Sequence, residues 1–111
     1  MTNEPEDKLR YIVRCGIFEG STLIGSYWPE REDKDTDLHT TLADLISGQF
    51  NHPLQVICFN PAEHVCDDFS EDAARAIAAV ADNNHKVLNR QIFEFCENHL
   101  GCQAMVGIPH D

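Results

Sequence analysis

Basic residues are scarce in this chain. Eight lysines and arginines stand against nineteen aspartates and glutamates, a net charge of −11 with the histidines neutral. A surface of that sign repels phosphates, so no direct binding to DNA, RNA or an anionic membrane is expected. Long apolar runs are missing too. Nothing approaches the roughly 18 residues that a spanning helix needs. Met1 to Lys8 reads MTNEPEDK, without the basic start and apolar stretch of an export signal, and the expected location is therefore cytoplasmic. Five cysteines are an odd number, which rules out complete pairing within one chain. In a reducing compartment they stay thiols, and Cys15 and Cys58, each inside an apolar run, read as small core residues. The glycines form neither GxGxxG nor GxxxxGK, and HExxH and GxSxG do not occur. The sequence thus offers no phosphate cradle, no metalloprotease pair and no hydrolase elbow.

What is present is ordinary globular material. The 111 residues are 42% hydrophobic and 24% charged, which suits one domain with one core. Residues 1–8 are expected to be a flexible leader, 9–103 the domain and 104–111 a C-terminal tail. Within Leu9 to Phe18, Tyr11, Val13, Cys15 and Ile17 alternate with Ile12, Arg14, Gly16 and Phe18, the period of a strand. Glu19-Gly20-Ser21 turns the chain into a second β-rich run, Thr22 to Trp28, and the pair predicts a hairpin in which Gly16 and Gly25 mark a bulge or a close backbone approach.

Pro29 to Asp37, PEREDKDTD, reads as a solvated loop. Asp37 is placed to cap a helix with the stripe Leu38, Leu42, Leu45 and Ile46, and Gly48 is placed to end it. Leu54 to Phe59 is a third strand, apolar on both faces and hence interior, closed by Asn60-Pro61. After an acidic loop, Ser70 is expected to cap an alanine-rich helix over Ala73 to Ala81 that Asp82-Asn83-Asn84 terminates. A last helix is expected from His85 to Leu100, with Gly101 as its stop. The order β-β-α-β-α-α predicts an α+β fold, a single small domain with helices packed on a small, mainly antiparallel sheet.

Candidate chemistry is sparse. Cys96-x-x-His99-x-x-Cys102, with His64-x-Cys66 as a further source of donors, has the thiolate and imidazole types that zinc takes. The paired CxxC knuckles of a zinc ribbon are missing, and Cys96 and His99 also fall in the apolar stripe of their helix, so packing is the preferred reading and no metal or cofactor is expected. Cys66 sits among Glu63, His64, Asp67 and Asp68. Neighbouring carboxylates disfavour a thiolate, the reverse of what a nucleophile needs, so no catalytic residue is assigned.

Charge distribution is the most informative feature. From Glu30 to Asp72 there are eleven acids and two bases, a balance of −9; the rest of the chain carries only −2. If the two acidic loops meet at one end of the sheet, Glu30, Glu32, Asp33, Asp35, Glu63, Asp67 and Asp68 form one negative surface. The expectation is a non-enzymatic interaction or regulatory protein that binds a basic protein partner there. An acidic inhibitor imitating nucleic acid and a metal protein built on Cys96, His99 and Cys102 are the alternatives. The last helix has a wider apolar stripe than one packing surface requires, which predicts a homodimer with Phe93 and Leu100 at its interface.

Overall fold

In the computed structural model, which describes residues 9–60 and 62–111, the alternation at the start of the chain becomes β1, Arg10–Glu19. The expected leader, residues 1–8, and Pro61 lie outside the described residues. Tyr11, Val13 and Cys15 are buried on one face of β1, while Ile12 and Arg14 on the other are half-buried. Gly20, at φ +64°, takes the first position of a two-residue turn into β2, Thr22–Tyr27, where a side chain would be strained. The register slips between Ile17 and Phe18, next to both strand glycines. At Gly16 an added Cβ would sit 2.8 Å from Phe18 and 3.0 Å from Leu23, which is the close approach that a glycine there permits.

Asp37 caps α1, Leu38–Ile46, its carboxylate accepting from the Thr40 N–H at 3.0 Å, and Gly48 ends the helix at φ +83°. β3, Pro53–Asn60, then pairs antiparallel with β1. A fourth strand follows where only a loop was expected: β4, Val65–Asp68, pairs antiparallel with β3. The sheet order is β2-β1-β3-β4, so β3 is interior as its two apolar faces require. The α+β class stands, with one strand more than the sequence pattern shows.

The alanine-rich helix, α2, spans Ser70–Asn84 and runs through Asp82-Asn83-Asn84, ending only at His85 in the left-handed conformation. Ala81 is still fully buried, and this packing holds the last turn against the polar triplet. Ser70 is a strut here: Phe69 takes the N-cap position without a side-chain cap bond, and Asp68 just before it takes up the first helical N–H. The Asp68 carboxylate accepts from the Ser70 N–H at 2.8 Å, while the buried Ser70 hydroxyl accepts from the Val56 N–H at 2.8 Å. The last helix, α3, is Arg90–Leu100 and begins five residues later than expected, because Asn89 caps it by accepting from the Ile92 N–H at 2.9 Å. The C-terminal segment docks: a single 3-10 turn, Gln103–Met105, buries Met105, and Leu88 exchanges backbone bonds with Pro109 and Asp111.

One core joins these elements. The sheet face of Tyr11, Val13, Cys15 and Val56 packs against Leu45, Ile77, Ile92 and Phe95 from the three helices. Each such side chain contributes about 1.5–3 kcal/mol on full burial. The opposite sheet face carries a polar chain across all four strands. Arg14 donates to Ser26 Oγ at 3.1 Å and to Gln55 Oε1 at 3.0 Å, and Gln55 donates to Asp68 at 2.9 Å. Among the described residues, no helix is long and apolar enough to cross a membrane.

Candidate functional site

The first acidic loop is fastened at both ends. Arg31 pairs with Asp44, donates to Thr41 Oγ1 at 3.3 Å and lies over the Phe50 ring, 5.0 Å from its centroid, which ties the loop to α1. Further along, Asp33 pairs with Arg10, and the Thr36 carbonyl accepts from the Tyr11 N–H at 2.8 Å, which lays the loop along the start of β1. Glu30, Glu32, Asp35 and Asp44 rim an open groove of about 550 Å³ around Arg31.

The strand register brings the second acidic segment to the same end of the sheet. Arg10 stands opposite Phe59 on β3, and Phe59 stands opposite Cys66 on β4. The connecting turn carries Glu63 and is closed by the Asn60 side chain, which accepts from the Ala62 N–H at 2.9 Å. Asp67 pairs with Cys58 across the sheet. Thr36 and Asp67 are thus separated by β1 and β3, three strand spacings or roughly 14 Å. Asp33 beside Arg10 and the Glu63, Asp67 and Asp68 segment share one end of the sheet and flank it from two sides, while Glu30 lies in the groove by Arg31 and Phe50.

Their roles differ. Asp33 is held by Arg10, and Lys34 lies 3.5 Å from Glu32 and 3.8 Å from Asp35. Glu30, Glu63 and Asp67 form no ion pair among the described residues. Desolvation works against the Asp68 carboxylate, but the bonds from Ser70 and Gln55 outweigh it and hold its pKa below the usual range. Asp37 is also held low, by the Thr40 N–H that it caps. Asp68 therefore serves the fold as well as the surface.

The Cys96, His99 and Cys102 triad is not brought together. Cys96 is fully buried, which pushes its thiol up to about 12, and it donates to the Ala74 carbonyl at 3.7 Å. His99 donates to the Leu54 carbonyl at 2.9 Å and packs beside Phe95, while Cys102 is exposed beyond the end of α3. Among the described residues, no three His, Cys, Asp or Glu side chains are grouped to hold a metal ion. Cys66 is exposed on β4. The broad stripe of α3 is met within the chain, by α2 on one side and the C-terminal segment on the other. Phe93 stacks on His110 at 3.8 Å, and Leu100 packs against the core.

Two features escape the sequence reading. His52, at φ +47°, donates its backbone N–H to Gln91 at 2.8 Å and bounds a cleft of about 450 Å³ with Phe18, Arg90 and Glu94. The other is apolar. Ile17, Leu23, Ile24, Tyr27 and Trp28 are all 41 to 59% exposed on and beside β2. The signal was present in TLIGSYW, which is rich in large apolar residues on both strand faces and carries no charge. No protein-family model matches this chain, and neither a curated protein nor a solved structure shows significant similarity to it.

Proposed function

We propose that the protein is a small interaction or regulatory module, without catalysis of its own, that binds a basic protein partner through the acidic end of its sheet. One observation carries this reading: the Arg10–Asp33 and Tyr11–Thr36 contacts and the β1-β3-β4 register set both acidic segments around the start of β1. Carboxylates fixed on a rigid sheet end, with few cations among them, present a field that speeds encounter with a positive surface and weakens with salt. Exposed ion pairs such as those of Lys34 are weak, so a partner's cations displace them at small cost.

The test replaces Glu30, Glu32 and Glu63 by Gln and Asp67 by Asn, which spares Asp33 and Asp68 with their structural bonds. With circular dichroism unchanged, the variant is expected to lose both polylysine binding and recovery of partners from native lysate at low salt. The parent protein is expected to bind more weakly as salt rises and to lose them well above physiological strength, as the Debye length falls from about 8 Å toward about 3 Å. Binding that survives both the substitutions and the salt overturns the reading.

A further inference from the structure

We propose that β2 is a self-pairing edge, through which two copies of this chain join antiparallel along Thr22–Tyr27 into one continuous sheet. The inference stands apart from the acidic-surface reading and uses the opposite end of β1. β2 closes the sheet on one side, and among the described residues none of its backbone groups bonds to anything but β1. Proteins ordinarily guard such an edge with charge, proline or a covering segment. Thr22 to Trp28 has neither a charged residue nor a proline, and its large side chains are exposed.

Charge placement selects a second copy and sets its direction. From Leu9 to Trp28 there are two bases and one acid, a balance of +1 in a chain that totals −11, so two hairpins meet without the repulsion that the acidic stretch from Glu30 to Asp72 would bring. The acidic loop begins directly after Trp28. Parallel pairing would lay the two loops side by side. Antiparallel pairing sets each loop beside the partner's Gly20-Ser21 turn and separates the loops by the strand length, roughly 20 Å for six residues, well beyond a Debye length of about 8 Å.

Area is consistent with this. Ile17, Leu23, Ile24, Tyr27 and Trp28 still expose roughly 500 Å² at their observed accessibilities. A stable interface takes about 800 Å² per partner, so these side chains offer more than half of what such an interface buries. The arrangement is isologous, each strand serving as donor and acceptor to its own copy, so it closes at two chains.

Sedimentation equilibrium of the full chain at tens of micromolar is expected to return twice the mass of one chain. Ile24→Lys and, independently, Thr22→Glu, which sets a carboxylate beside the partner's acidic loop, are expected to halve that mass at the same concentration, with circular dichroism retained. Trp28 is the single tryptophan, so its emission reports the interface directly, shifting to the red in both variants. Raising salt is expected to tighten the dimer by screening the net charge, whereas it loosens an acidic-surface partner, and the two readings therefore fail separately. A monomeric parent protein overturns the proposal. So does a dimer that survives both edge variants, and loss of the dimer only on Phe93→Glu would place the interface on α3 instead. If one edge variant unfolds, the other decides.

Discussion

The two edges of this sheet are built in opposite ways. β4 is four residues long and ends in Asp67 and Asp68; Asp68 is bonded to Gln55 on the neighbouring strand and to the first turn of α2. A second chain approaching that edge meets two carboxylates and a strand anchored at its end. β2 is six residues long and uncharged, and among the described residues its backbone bonds only to β1. Its side chains are exposed over nearly its whole length. An edge guarded by charge is closed to pairing, and an edge left neutral and apolar is open to it. The same sheet thus presents an acidic, anchored edge on one side and a neutral, apolar one on the other.

Detaching the anchored edge is expected to have the largest effect. Ser70 is buried beneath β3, and its hydroxyl is the partner of the Val56 N–H. Ser70→Ala leaves that buried donor without a bond, which costs about 1–3 kcal/mol. Urea denaturation should show that loss. Hydrogen exchange should speed up along β3 and β4 and leave β2 unchanged. Equal acceleration at β2 would mean that the two edges are not independently held.

A smaller effect comes from Asp68 itself. Asp68→Ala removes the acceptor for the Ser70 N–H and should cost about 1 kcal/mol at neutral pH, the usual value of a helix cap. The pH dependence has a definite sign. The carboxyl is held low in the folded state, so its contribution is complete above the unfolded value of about 3.9 and disappears as pH falls through the folded one. Asp68→Asn should therefore flatten the acid-side loss of stability, measured by urea midpoints between neutral pH and about pH 3. Asp37, held low by the Thr40 N–H, contributes in the same direction. An unchanged acid slope in Asp68→Asn would show that the Ser70 and Gln55 bonds are not formed in solution.

Much of this architecture could be read in advance where a single local rule decides. The β1 alternation, the Asp37 cap with Gly48 as its stop, and the interior position of β3 are of this kind. The pattern failed where tertiary packing overrides composition. VCDD has too many carboxylates to look like a strand, yet pairing with β3 makes it one. Asp82-Asn83-Asn84 looks like a stop, yet buried Ala81 carries the helix through it. The concentration of acids was visible from the sequence, but only the register of Arg10, Phe59 and Cys66 tells which end of the sheet it occupies. The wide stripe of α3 was visible as well, though a stripe does not say whether its second neighbour is another chain or the C-terminal segment that follows.

The smallest effect on folding is expected at β2, and its smallness is the informative part. Ile24 is 59% exposed and sits at the slip in the β1-β2 register. Its side chain has little packing to lose, so Ile24→Lys should change the stability of the isolated chain by no more than about 0.5 kcal/mol, the usual range for a surface substitution. Thr22 is exposed beside the turn and should behave alike. Measured at low concentration, where no second copy is bound, urea midpoints of both variants should coincide with that of the parent protein. At high concentration the parent's midpoint should rise and theirs should not, since only the parent gains stability by mass action with a second copy. A loss of several kcal/mol at low concentration would show that β2 is held by the fold after all and is not a free edge.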